Sequence, residues 1–215
     1  MRIDKLILGT YETNSYILRG SGSDRDVVII DTGLTPQPLI NFLKQNELNP
    51  IALILTHGHA DHIAGITPLR QSFSDIKIVI HTADTPMLSS GLKNLSALAG
   101  VSIKTEPADL IIENEGPIAF AGITLNVLHT PGHTPGGICL YSQADSLVFS
   151  GDTLFAGSVG RTDFPNYNVE ECFARLVSNI KTKLVPLPDE TRVLPGHGPE
   201  TTMKNEKKHN PYLQQ

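Results

Sequence analysis

In the first part of the chain the apolar residues fall into short runs broken by polar turns. Ile3–Leu8, Ser15–Leu18 and Val27–Ile30 predict three strands, and the turn-rich Gly20 to Asp24 predicts a hairpin connection between the second and third. From Pro36 to Asn46 the spacing changes to that of an amphipathic helix, with Leu39, Ile40 and Leu43 on one face. Ile51–Leu55 is wholly apolar, as expected of a strand buried on both faces; a helix over Ala60–Phe73 and a second buried strand over Ile76–Ile80 follow. Further helices are predicted over Thr82–Ser89 and Leu92–Leu98.

Beyond Leu110 the texture becomes short alternating strands with Gly and Pro turns, at Leu110–Ile112, Ile118–Phe120, Ile123–Leu128, Ile138–Tyr141 and Leu147–Phe149. Val169–Leu184 predicts a long amphipathic helix, and Thr191–Leu194 a last strand before a short polar C-terminal helix. Two blocks of strands, each with its own helices, predict an α/β fold in which two sheets pack face to face and helices cover the outside. No linker composition divides the chain, so residues 1–215 are expected to form one domain.

A chain of 215 residues with 40% hydrophobic content can bury a substantial core. Its net charge of −5 offers no basic face, so nucleic acid is not an expected partner. Met1 to Gly20 has polar residues throughout, and no apolar run approaches the roughly 18 residues of a membrane span. A cytoplasmic protein without membrane contact is therefore expected. Cys139 and Cys172 lie in apolar surroundings and read as small core residues, not a disulfide framework.

The chemistry concentrates where the Ile51–Leu55 strand ends. Thr56-His-Gly-His-Ala-Asp-His62 places three histidines and an aspartate within six consecutive positions, His57 to His62. In extended backbone His57 and His59 point the same way and can close on one ion, with Gly58 allowing a tight turn between them. Asp61 and His62 are adjacent, and the first turn of a helix projects them sideways, towards a second ion. Imidazole nitrogen and carboxylate oxygen suit zinc, iron or manganese. The same architecture recurs three times: Ile123–Leu128 runs into the turn-dense His129 to Gly137 with His133, Leu147–Phe149 into Gly151-Asp152, and Thr191–Leu194 into Pro195-Gly-His197-Gly198. Each strand delivers a His or Asp beside a glycine to one rim of the sheets. Asp152 is the natural bridge, because a carboxylate can bind two cations at once. Asp31 and His129 are candidates to hydrogen-bond a ligand's second ring nitrogen.

The set His57-x-His59-x-Asp61-His62, His133, Asp152 and His197 resembles the metallo-β-lactamase superfamily over essentially the whole chain. Within it, Gly132-His-Thr-Pro-Gly136, Gly151-Asp-Thr-Leu-Phe155, Gly160-Arg-Thr-Asp163 and Pro195-Gly-His-Gly198 are similar to the glyoxalase II-like hydrolases. The resemblance implies a four-layer αββα sandwich with a dinuclear site at one sheet edge. It assigns His57, His59 and His133 to one divalent ion, Asp61, His62 and His197 to the other, and Asp152 to both, with zinc first and iron or manganese as alternatives. A metal-bridged hydroxide would attack a small-molecule acyl thioester, S-lactoylglutathione or a similar compound, with Asp61 also orienting the nucleophile. Glyoxalase II carries a Lys-x-Tyr pair where this chain has Arg161-Thr-Asp163. Arg161 is the candidate cation for a substrate carboxylate, and Asp163 is expected to pair with Arg161 or cap the loop. The short tail Met203 to Tyr212 is that of single-domain relatives, without the helical domain that helps glyoxalase II hold glutathione.

An iron-dependent persulfide dioxygenase with a single ion is the rival reading, and a metal-binding scaffold without turnover is the non-enzymatic one. Asp152 where many secreted β-lactamases have cysteine, and His59 where flavodiiron proteins have glutamate, argue against those two groups. Specificity is expected to lie in the loop over residues 156–168 and between Thr82 and Ala99, where Met87, Leu88, Leu92 and Leu95 either line a pocket or pack in the core.

Overall fold

A computed structural model describes residues 1–214 apart from Asp24 and Asn166. The last position of the expected Gly20–Asp24 turn and one position of the 156–168 loop therefore lie outside the described residues.

The early apolar runs pair into one sheet in chain order: β1 (Arg2–Leu8), β2 (Thr13–Arg19), β3 (Asp26–Ile30), β4 (Asn49–Ile54), β5 (Lys77–His81) and β6 (Leu110–Ile112). The first three pair antiparallel, and β3 to β6 run parallel. The second sheet has the order β14-β13-β10-β9-β8-β7, built from β7 (Gly116–Phe120), β8 (Ile123–His129), β9 (Ile138–Ser142), β10 (Leu147–Gly151), β13 (Arg192–Pro195) and β14 (Thr201–Thr202). The Leu110–Ile112 strand, expected with the later block, joins the first sheet. Asp109 just before it accepts a hydrogen bond from the Ile78 backbone at 2.8 Å and so locks it beside β5.

Side-chain alternation sorts the core into three layers of contact. Tyr16, Leu18, Val28, Ile30, Ala52 and Ile54 of the first sheet meet Leu125, Val127, Ile138, Leu140, Phe149 and Leu194 of the second. The opposite face of the first sheet, with Ile17, Ile29, Leu53 and Ile78, packs on α1 (Gln37–Gln45) and α3 (Ile66–Ser72) through Leu39, Leu43, Ile66 and Leu69. The outer face of the second sheet, with Cys139, Val148 and Val193, packs on α5 (Val169–Asn179) through Leu176 and on α6 (Met203–His209) through Met203. The result is the αββα sandwich of two mixed sheets.

Three departures from the expected elements bear on function. The Ala60–Phe73 helix is broken into α2 (Ala60–Ile63) and α3, because the Gly65 backbone donates to Thr32 Oγ1 at 2.9 Å instead of continuing the helical ladder. Thr82–Ser89 becomes a 3₁₀ turn over Thr82–Asp84 followed by α4 (Thr85–Leu88), whereas Leu92–Leu98 forms no α-helix. There Leu95 adopts a left-handed conformation (φ +69°), and only a short 3₁₀ turn, Ser96–Ala99, remains. A ribbon of β11 (Leu154–Phe155) and β12 (Ser158–Val159) is too short for apolar alternation to signal it.

Phe149 is fully buried between the sheets, its ring 5.1 Å from that of Tyr16. Phe149→Ala is expected to destabilise the fold by about 3–5 kcal/mol in urea titration, with the transition midpoint falling accordingly; a loss below about 1 kcal/mol would mean that the inter-sheet layer closes over the gap.

Candidate metal centre

Strand ends deliver the polar residues to one edge of the sandwich. Asp31 follows directly on β3, the Thr56–His59 loop follows β4, Asp152 follows directly on β10 and the His197 turn follows β13, while the loop after β8 brings in His133. The two sheets are sutured here: the Asn14 amide donates to Pro195 O and Gly198 O at 2.9 Å each, and the Tyr16 hydroxyl to Pro195 O at 2.7 Å.

All seven residues singled out as ligand candidates converge. His57, His59 and His133 form one triad, with ring centroids 4.6–4.8 Å apart. Asp61, His62 and His197 form a second: Asp61 Oδ2 lies 3.2 Å from His197 Nε2 and 3.4 Å from His62 Nε2. Asp152 stands between them, with Oδ2 3.5 Å from both His133 Nε2 and His197 Nε2, and Oδ1 3.6 Å from His62 Nε2. Phe164 closes one side, its ring 4.8 Å from His59 and 5.2 Å from His133.

The donor chemistry fits a divalent-metal centre. His57 Nε2, His59 Nε2, His133 Nε2 and Asp152 Oδ1 are buried without a hydrogen-bond partner, and each polar atom left so costs about 1–3 kcal/mol. The outer nitrogens are engaged: His57 Nδ1 meets Thr56 Oγ1 at 3.1 Å, His133 Nδ1 the Arg161 carbonyl at 2.8 Å and His197 Nδ1 the Tyr11 carbonyl at 2.8 Å. Burial, reinforced by neighbouring imidazoles, holds His57 and His59 well below the ordinary histidine range. Burial also lowers His133, partly offset by Asp152. The second triad behaves oppositely. Burial disfavours its imidazolium forms, but Asp31, Asp61 and Asp152 outweigh it at His62, which is raised to about 9, and Asp152 and Asp61 do so at His197, raised to about 11. Burial opposes ionisation of Asp61 too, yet His62 and His197 bring it well below the carboxylate range.

Asp31 lies beside His62, yet His62 Nδ1 is left without a hydrogen-bond partner, so the bond expected of Asp31 is present only as a close approach. Its carboxylate accepts from Thr56 N at 2.8 Å and Thr56 Oγ1 at 2.7 Å, and Oδ2 lies 3.0 Å from His62 Nδ1. His129 does not touch the seven: its ring stacks on His81 at 4.0 Å, and Nε2 meets the Pro135 carbonyl at 3.0 Å. Arg161 lies at the pocket wall and is held by Asp163 through contacts of 2.8 and 3.1 Å, the pairing anticipated from the sequence. Gly58 is required by crowding and not by a turn, since a Cβ there would stand 2.7 Å from Met87 Cβ.

Sequence reasoning missed Asp84. This fully buried carboxylate accepts from Gly58 N (2.9 Å), Thr134 Oγ1 (2.7 Å) and Gly136 N (2.6 Å), tying the His57–His59 loop to the His133 loop. Asp84→Asn substitutes an N–H where an acceptor is needed, so divalent-metal affinity should fall by about 10- to 100-fold in competition with a chromophoric chelator. Unchanged affinity would mean that the two loops keep their shape without the tie.

Residues 8–197 match the family model of the metallo-β-lactamase superfamily. Among curated proteins the chain is similar to hydroxyacylglutathione hydrolase GloC of Haemophilus influenzae, 36% identical over 192 residues that cover 88% of each chain. Among solved structures it resembles BLEG-1 B3 metallo-β-lactamase (TM-score 0.92, 39% identity, all of both chains). It also resembles TTHA1623 in a di-iron-bound form (TM-score 0.83, 36% identity, 98% of this chain and all of the other). With the fold, the converging donor triads and the family match in agreement, the chain belongs to the metallo-β-lactamase superfamily, as a metal-dependent hydrolase.

Proposed function

We propose that the chain is a glyoxalase II-like thioesterase that hydrolyses acyl thioesters, with S-lactoylglutathione the first candidate substrate. The observation that carries this reading is the pair of donor triads on either side of Asp152, of which His59, Asp61, His133, His197 and Asp152 itself line a cavity of about 520 Å³. His57, His59 and His133 would hold one ion, Asp61, His62 and His197 the other, and Asp152 would bridge them. Zinc comes first on donor chemistry, and iron next, because the similar TTHA1623 is described in a di-iron form. Two divalent ions held there would lower the pKa of a shared water towards about 7 and polarise the substrate carbonyl.

The chain's own groups do the rest. Asp61, fixed by Thr13 Oγ1 at 3.2 Å, orients the attacking water. Cys139 is fully buried on the outer face of the second sheet, where burial pushes its thiol up to about 11, so it does not serve as the nucleophile. Arg161 is positioned to receive a carboxylate of the thiol portion, in exchange for or alongside Asp163. Free Cys139 and Cys172 suit a reducing cytoplasm, and no described helix is long and apolar enough to cross a membrane. The similarity to GloC supports the thioester class. The similarity to BLEG-1 across both whole chains favours a β-lactam as the second class to test.

Protein loaded in turn with zinc, manganese or iron is expected to hydrolyse S-D-lactoylglutathione, followed by loss of thioester absorbance, with activity removed by a chelator and restored by metal. Absence of turnover with both ions bound would overturn the glutathione-linked substrate, and turnover of a chromogenic cephalosporin alone would replace the thioester by the lactam.

A further inference from the structure

The segment over residues 90–103 is irregular yet firmly held. Asn94 is fully buried; its amide donates to the Met87 and Ile103 carbonyls at 2.9 Å each, and its Oδ1 accepts from Ser96 N and Ser96 Oγ. The Asn94 carbonyl in turn accepts from Ala60 N at 2.9 Å, so the segment is fastened to the turn that carries Asp61 and His62. At the next residue, Leu95, a φ of +69° puts a branched side chain into backbone space that glycine or asparagine would enter more readily. A strained residue held in place by its surroundings points to a use for its side chain. Leu95 lines the main cavity of about 520 Å³ and also a neighbouring cavity of about 330 Å³, and so stands as the partition between them.

The main cavity is chemically lopsided. Along the 90–103 segment its wall is Leu95, Ala99, Val101 and Ile103, together with Asn94 and Ser96, whose side chains bond to each other; none of these carries charge, and Val101 remains 54% exposed. Apart from the site's histidines, the cation in its lining among the described residues is Arg161, on the loop that also carries Phe164. A thioester has a thiol half and an acyl half. A polar or charged thiol half belongs on the Arg161 side, which leaves the uncharged wall to the acyl group.

We propose that Leu95, Ala99, Val101 and Ile103 form an acyl-chain subsite for saturated, uncharged acyl groups, and that Leu95 sets its depth by closing off the second cavity. The walls of the second cavity are mostly apolar, Pro86, Met87 and Leu92 among them, with Lys93 the charged residue among the described ones, and this cavity would extend the subsite once the partition is shortened. This assignment rests on the thioesterase reading.

The test is a series of S-acylglutathiones, acetyl, butanoyl, hexanoyl and octanoyl, with the zinc-loaded protein. Wild-type kcat/KM should climb by about fourfold per methylene, mainly through KM, and then level off where the chain meets Leu95. Leu95→Ala should carry the rise on to the octanoyl ester and raise the octanoyl-to-butanoyl ratio by about tenfold or more, and Leu95→Phe should lower that ratio. Calorimetric affinities of the carboxylate products, acetate to octanoate, should follow the same order. Turnover with a flat chain-length profile, or Leu95 variants that change every ester by one common factor, would overturn the acyl subsite and leave the thioesterase intact. Failure of the wild type to hydrolyse any member would overturn the thioesterase reading, and the subsite with it.

Discussion

Five imidazoles and two carboxylates crowded at one edge of the sandwich set the terms for the rest of the structure. Groups of this kind are expensive to remove from water, and they are tolerated only where each is oriented by a neighbour and the remaining lone pairs share a purpose. The cluster divides by electrostatics. Burial lowers the pKa of each imidazole in the His57, His59 and His133 triad and so favours the neutral form that can donate a lone pair to a cation. Burial is overcome in the second triad by Asp31, Asp61 and Asp152, which draw His62 and His197 towards their charged forms. A cation at the second position would compete with protons held by these two rings.

The scaffold holds this arrangement through a few buried polar side chains that reach between loops. Asp31 joins the end of β3 to Thr56 and His62, Asp84 joins the His57–His59 and His133 loops, and Asn14 with Tyr16 grips the turn that carries His197. Asp31, Asp84 and Asn14 each have several partners, so their orientations are overdetermined. Such ties keep donors within tenths of an ångström on loops that would otherwise drift. The same device fixes Asn94 and thereby the wall of the cavity.

Much of this was legible in the sequence because the strands are apolar runs and the chemistry lies at their ends. The Thr56–His62 stretch and the turns holding His133, Asp152 and His197 repeat one architecture, and repetition is detectable without coordinates. What escaped was what depends on contacts distant in sequence. Asp84 sits 26 residues from Gly58 and 52 from Gly136, and nothing in the stretch around it signals that both backbones converge on its carboxylate. The Leu92–Leu98 stripe has helical spacing, but the Asn94 side chain ties the Met87 and Ile103 carbonyls on either side of it together, and Leu95 turns left-handed, where a helix cannot continue. The Leu110–Ile112 strand was assigned to the wrong block because its partner, β5, is set by parallel pairing across a long connection. His129 has the right residue type near the right loop, yet its ring is committed to stacking on His81.

The central claim is that two ions share Asp152 between the triads. Anomalous diffraction from crystals of zinc-loaded protein tests it most directly. The account predicts two peaks about 3.5–4 Å apart, one among His57, His59 and His133 and the other among Asp61, His62 and His197, with Asp152 contacting both. A single peak, or a second one coordinated by residues outside these seven, would contradict it.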